Sequence, residues 1–153
     1  MSYTYIEGLR NNILHSDRAT NFVVKVSHSF FVDDDEAIRK LCSRILESHF
    51  EVVTAGSGRE ALTTLNTISY DLMVTDIKMP EMDGFELIDQ AIKRRPSLKV
   101  LAISGLLTSD MEQRLREGPA ACDILRKPFT ATALEQAIQI GRASCRERVC
   151  QYV

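Results

Sequence analysis

The acidic pair Asp33-Asp34, then Asp76, Ser104 and Lys127, are the residues of this chain whose types and order could do chemistry. Each of the last three ends or follows an apolar run that reads as a strand: Asp71–Thr75, Lys99–Ile103 and Cys122–Arg126. The acidic pair follows a shorter run, Phe30-Phe31-Val32. In an open parallel sheet, ligands bind at the carboxyl ends of the strands. The spacing therefore gathers carboxylates, a hydroxyl and an ammonium into one pocket. Carboxylates crowded into a low-dielectric cleft repel one another, and the repulsion is relieved by protonation or by a bound cation. A hard cation with oxygen ligands and a coordination position left for a phosphate oxygen points to magnesium. Asp76 precedes the turn Lys78-Met79-Pro80, which lets its carboxylate face out of the sheet as a nucleophile. Lys127, just before Pro128, can neutralise the same site, and Ser104 offers a hydroxyl to a phosphoryl oxygen. Singly, each has a plainer reading as a helix start, a dipole-pairing lysine or a capping serine; jointly, at successive strand ends, they read as a site.

The elements that must position these groups alternate strand and helix from Ser29 to about Ile140. Strands are expected over Phe30–Val32, Phe50–Ala55, Leu72–Asp76, Val100–Ser104 and Ile124–Arg126. Between them, apolar residues recur at helical spacing: Ile38, Leu41, Ile45; Ala61, Leu62, Leu65; Phe85, Ile88, Ile92; Met111, Leu115; Leu134, Ile138. Ser57-x-x-Glu60 and Ser109-x-x-Glu112 read as capping boxes, and Asp83-x-x-Glu86 has the same geometry with an Asp cap. Repeated βα units with right-handed crossovers make a three-layer α/β sandwich.

Bulk properties narrow the function classes. The 153 residues suffice for one domain with a core, and 44% hydrophobic with 26% charged residues is ordinary for a soluble protein. A net charge of -2 gives this segment no electrostatic reason to bind nucleic acid, and no apolar stretch approaches a membrane span. Cys42 and Cys122 read as small buried hydrophobes in a reducing, cytoplasmic setting. No C-x-x-C spacing exists, and His15, His28 and His49 are scattered, so zinc is not expected. Gly56-Ser57-Gly58 lacks the rest of a phosphate loop, and Lys93-Arg94-Arg95 closes a helix, where cations suit the dipole. Residues 1–28 carry no clear start signal and stay unassigned, with Phe22–Val26 a possible strand. From Gly141 an Arg/Cys-rich run breaks the helical pattern and resembles the translation of a common sequencing adapter. Residues 141–153 are thus expected to be non-native, with the natural chain, and any output domain, continuing past residue 140; a genuine basic helix end is the alternative.

Four stretches resemble the response-regulator receiver domain of two-component signalling: Phe31-Val32-Asp33-Asp34-Asp35, Asp71 through Gly84, Ala102-Ile103-Ser104-Gly105 and Lys127-Pro128-Phe129. The resemblance covers about residues 29–140, and its Asp-x-x-Met-Pro-x-Met-Asp-Gly run is highly specific. It implies a flavodoxin-like five-stranded parallel sheet in the order 2-1-3-4-5, with a cis bond before Pro128. It implies that Asp76 takes phosphate from the phosphohistidine of a histidine kinase or phosphotransfer protein. Asp34 and Asp76 would hold Mg²⁺ directly, Asp33 through water, and Lys78 would add its backbone carbonyl. Ser104 and Lys127 would contact the phosphoryl group. The product would be a signalling switch, not a metabolic enzyme, able to pair with a second copy on phosphorylation. One departure stands out: receivers often carry an aromatic switch residue three positions before the lysine, and here that position is Ile124. Two other readings compete. A receiver-like interaction module would need no phosphorylation. A haloacid-dehalogenase-type phosphatase would put its nucleophile after the first strand and the acidic pair last, opposite to the order here.

Overall fold

The structure, a computed structural model, describes residues 28–118 and 122–138. The readings made for residues 1–27 and 141–153, including Cys145 and Cys150, lie outside the described residues. The chain runs β1 (His28–Val32), α1 (Glu36–Leu46), β2 (Glu51–Ala55), α2 (Gly58–Thr64), β3 (Leu72–Asp76), α3 (Gly84–Arg94), β4 (Lys99–Ser104), α4 (Ser109–Glu117) and β5 (Asp123–Arg126). A last helix, α5, is described over residues 131–138. All strand pairs are parallel, and the sheet order is β2-β1-β3-β4-β5, as the family resemblance implies.

The order follows from burial. All of β3 is buried, and β1 and β4 are buried beyond their first residues. Such unbroken apolar runs suit interior strands covered on both faces. β2 and β5, which mix exposed and half-buried residues, take the edges. Alternation then divides the side chains. Phe30, Met73 and Ala102 face a core completed by Leu62, Leu87 and Leu115 from α2, α3 and α4. Phe31, Val74 and Ile103 face a second core with Cys42, Leu46 and Leu134 from α1 and α5. These are the helix–sheet–helix layers expected from the sequence.

Side-chain caps set where the helices begin. Asp35 accepts from the Ala37 and Ile38 amides, Ser57 from Glu60, and Asp83 from Glu86. The Glu60 carboxylate reaches back to the Gly56 amide at 2.8 Å. The expected box at Ser109 is corrected by one residue: Thr108 is the cap, accepting from the Met111 amide. Glu112 instead pairs with Arg116 and Arg126. Phe50, expected within β2, belongs to the turn before it, its amide bonded to the Leu46 carbonyl at 2.9 Å.

Candidate functional site

The carboxyl ends of β1, β3, β4 and β5 converge on one pocket. Asp76 closes β3 with 7% of its surface exposed, and Asp33, one residue past β1, is 1% exposed. Asp34 follows it on the loop and is exposed. One carboxylate oxygen from each of the three lies within 4.8 Å of the others. Lys127, beyond β5, reaches across: its Nζ donates to Asp76 Oδ2 at 3.1 Å and to Asp33 Oδ2 at 3.2 Å. The remaining oxygens take backbone donors, Asp33 Oδ1 from the Asp35 amide at 2.9 Å and Asp76 Oδ1 from the Lys78 amide at 3.3 Å. Asp34's carboxylate has no hydrogen bond or ion pair among the described residues and faces solvent.

Charge balance indicates what the pocket can take. Three carboxylates face one ammonium, which leaves room for a divalent cation. Burial pushes the Asp33 carboxyl above its ordinary range; the Asp35 amide and Lys127 oppose this, and the neighbouring Asp76 charge adds to it. Burial alone would lower Lys127, but its hydrogen bond to Asp76 and the charges of both aspartates outweigh that and raise it. The donor set is all carboxylate oxygen, which suits magnesium.

The rest of the expected set sits around this centre. Ser104 ends β4, one residue past Ile103, the register partner of Asp76, and the Lys127 amide bonds its carbonyl at 2.9 Å. Its hydroxyl is turned to the β4–α4 loop, donating to the Leu106 carbonyl at 3.0 Å and accepting from the Leu106 amide at 3.3 Å. Lys78 is exposed, with its side chain in solvent. Ile124 is half-buried against the core that contains Ala102 and Leu115. The Lys127–Pro128 bond is cis. Met79 is buried and Met82 packs on the same core, so both shape the loop after Asp76. Cys42 and Cys122 are buried, and burial pushes their thiols up to about 11 and about 12, so both are inert at neutral pH.

Sequence reasoning missed three groups. Asp35 both caps α1 and presents its amide to Asp33, a role its place before Glu36-Ala37-Ile38 could have signalled. Thr75 Oγ1 donates to the Asp76 carbonyl at 3.0 Å. Arg39 Nη1 donates to the Asp33 carbonyl at 2.6 Å, and no motif marks it.

Known proteins bear on the same residues. The family described as the response regulator receiver domain matches residues 30–139. The transcriptional regulatory protein GlrR of Escherichia coli (strain K12) is 35% identical over 116 residues, 74% of this chain and 26% of that protein. The chemotaxis protein CheY of Listeria monocytogenes is 35% identical over 111 residues, 71% of this chain and 92% of CheY. Among solved structures, a CheY-like receiver domain protein from Methanospirillum hungatei superposes with a TM-score of 0.75 at 27% identity. It covers 81% of this chain and 99% of that one. The chain belongs to the response-regulator receiver family, whose members are phosphorylation-controlled signalling switches of two-component systems. It spans about a quarter of the length of GlrR. No helix among the described residues is long and apolar enough to cross a membrane.

Proposed function

We propose that Asp76 is the phosphoacceptor of this receiver, taking a phosphoryl group from the phosphohistidine of a histidine kinase or phosphotransfer protein. The observation that carries the reading is the buried Asp76 carboxylate at a strand end, held by Lys127 and clustered with Asp33 and Asp34. An Asp76 oxygen attacks phosphorus, the P–N bond breaks as the P–O bond forms, and the imidazole leaves and takes up a proton. Asp33, Asp34, Asp76 and the Lys78 carbonyl would hold Mg²⁺, with Asp33 acting through water. When bound, the cation neutralises charge shared between the carboxylates and the incoming phosphoryl group.

The chain's own residues then read the product. Lys127 already bonds Asp76 and can follow the added charge onto a phosphoryl oxygen. For Ser104 to donate to the same group, its hydroxyl proton must turn away from the Leu106 carbonyl, giving up the bond it donates to the β4–α4 loop. The β4–α4 loop and β5 thereby become the responsive face. Ile124 cannot supply a rotating aromatic ring there, so the change runs through the loop and through Arg126, which Glu112 of α4 holds at 2.7 Å. Moving such an equilibrium from 1:99 to 99:1 takes about 5.5 kcal/mol of differential stabilisation. A downstream output domain, or pairing with a second copy, would use this face in a cytoplasmic setting; this segment has no nucleic-acid role.

Intact-mass analysis with acetyl phosphate tests the reading. A Mg²⁺-dependent phosphoryl adduct, absent in Asp76→Asn, is expected. A folded wild type that takes no phosphate from acetyl phosphate or from a phosphohistidine donor would favour the interaction-module reading instead.

A further inference from the structure

Asp34 is the one carboxylate of the acidic cluster whose side chain nothing holds among the described residues, so its aim is set by its backbone alone. Two hydrogen bonds flank it. On one side the Asp35 amide donates to Asp33 Oδ1 at 2.9 Å. On the other, Arg39 Nη1 donates at 2.6 Å to the carbonyl of Asp33, the oxygen of the peptide that joins Asp33 to Asp34. We infer that Arg39 is a positioning residue for the cation site: it clamps the Asp33–Asp34 peptide and so fixes where both carboxylates point. This rests on the reading of Asp33, Asp34 and Asp76 as a magnesium site.

The geometry separates Arg39 from an ordinary ion pair. Its guanidinium is bonded to a carbonyl, not to any of the three carboxylates, so it orients the loop without occupying an oxygen the cation needs. Lys127, by contrast, occupies an oxygen of both Asp33 and Asp76. The guanidinium also has a seat. A Cβ placed on Gly56, at the end of β2, would come within 3.1 Å of Arg39 Nη1 and 3.4 Å of its central carbon. The absent side chain there leaves the space in which the guanidinium lies. Asp33's own amide bonds the Ala55 carbonyl at 3.2 Å, so the end of β2 also braces the preceding Val32–Asp33 peptide. Planar Arg suits this seat, and a lysine ammonium would bond the carbonyl from one point without filling it.

Charge and position predict opposite signs, which makes the inference testable. A cation beside the site repels Mg²⁺, so removing the Arg39 charge should tighten Mg²⁺ binding if charge is all that matters. If Arg39 positions the ligands, its removal weakens binding, by about 10-fold or more as for other groups that orient metal ligands. The experiment is Mg²⁺ titration by calorimetry on the full chain: wild type, Arg39→Met, Arg39→Lys, Gly56→Ala and Asp34→Asn. Arg44→Met serves as the control, since it removes the same charge from an exposed position on the same helix. Thermal melts and the Mg²⁺ dependence of acetyl-phosphate labelling are read alongside.

The expected result is a weakened Mg²⁺ Kd in Arg39→Met and Gly56→Ala, partial recovery in Arg39→Lys, and no weakening in Arg44→Met. The labelling rate of Arg39→Met should return to that of wild type at saturating Mg²⁺, because Asp76 is untouched. Unchanged or tighter Mg²⁺ binding in Arg39→Met overturns the inference, as does a lowered melting temperature with an unchanged Kd. If Arg39→Met does not fold, Gly56→Ala decides by the same criteria. A wild type that binds no Mg²⁺, or an Asp34→Asn that binds as well as wild type, overturns the magnesium-site reading itself and with it this inference.

Discussion

Gly84 opens α3 at a point where only a hydrogen fits. A Cβ there would lie 2.6 Å from Ile77 Cα and closer still to the Asp76 carbonyl oxygen, with Ile77 Cδ1 at 3.0 Å. The first two neighbours are backbone atoms of the β3 end, and they are pinned. The Ile77 amide bonds the Ile103 carbonyl at 3.0 Å, the Gly84 amide bonds the Ile77 carbonyl at 2.8 Å, and Thr75 Oγ1 bonds the Asp76 carbonyl at 3.0 Å. Ordinary contact requires most of an ångström of separation to be found in backbone that is tied on three sides. Overpacking a well-filled site costs about 1–3 kcal/mol, and a lost backbone hydrogen bond adds about 1, so Gly84→Ala should lose about 3–4 kcal/mol. For a domain of this size that lowers Tm by roughly 10–25 °C. Gly105→Ala is the matched control: its Cβ would meet only Lys127 Cβ at 3.7 Å, an ordinary contact. It should be neutral or stabilising by about 0.4–1 kcal/mol through the unfolded chain. Urea unfolding followed by circular dichroism measures both. Gly84→Ala within about 1 kcal/mol of wild type, against the 3–4 expected, would refute the claim that the α3 start is packed onto the Asp76 peptide.

Further outcomes follow from the site's charges and caps. Lys127→Met strands Asp33 and Asp76 without their shared cation; breaking such a partly open pair should cost about 2–3 kcal/mol without Mg²⁺. The deficit should shrink in millimolar Mg²⁺, because the ammonium competes for the same oxygens, and an equal deficit with and without Mg²⁺ would contradict this. Asp33's carboxyl is raised, so the folded state holds its proton more tightly than the unfolded chain does. Its stabilising contribution is complete below the unfolded value, about 3.9, and is lost as pH rises through the folded value. Asp33→Asn should therefore become more stable relative to wild type across that window in metal-free buffer, with a flat difference above it; a variant that loses stability relative to wild type as pH rises would have the wrong sign. Asp83→Ala removes the α3 cap and should lose about 1 kcal/mol in urea unfolding, where a change of a few tenths would mean that the Asp83 bond contributes little.

The parts of the fold legible in the sequence are those where local and global signals agree. β3 opens on the apolar run Leu72-Met73-Val74 and ends in an acid, so both its place in the sheet interior and the exit of Asp76 could be read. Asp83 and Ser57 were readable as caps because no competing hydroxyl or carboxylate stands beside them at the helix start. At α4 two hydroxyls, Thr108 and Ser109, are adjacent, and Glu112 three residues past Ser109 made the pattern favour the wrong one. The choice fell to Thr108 because Leu107 then packs inward and Glu112 is left to meet Arg126 from another element. Long-range directions were not legible. The sequence placed Ser104 at the pocket but could not tell that its hydroxyl faces Leu106. It placed Lys127 opposite Asp76 but could not tell that one ammonium spans two carboxylates. Arg39 left no trace, since its partner is a backbone carbonyl, which every residue has.

The central claim is that phosphate enters and leaves on Asp76, and locating the adduct tests it most directly. Wild-type protein labelled with acetyl phosphate and Mg²⁺ would be reduced with borohydride, which converts an aspartyl phosphate to homoserine, and then mapped by peptide mass spectrometry. Conversion at Asp76, absent when Mg²⁺ or the phosphodonor is omitted, is the predicted result. Conversion at Asp33 or Asp34 with Asp76 unmodified would contradict it.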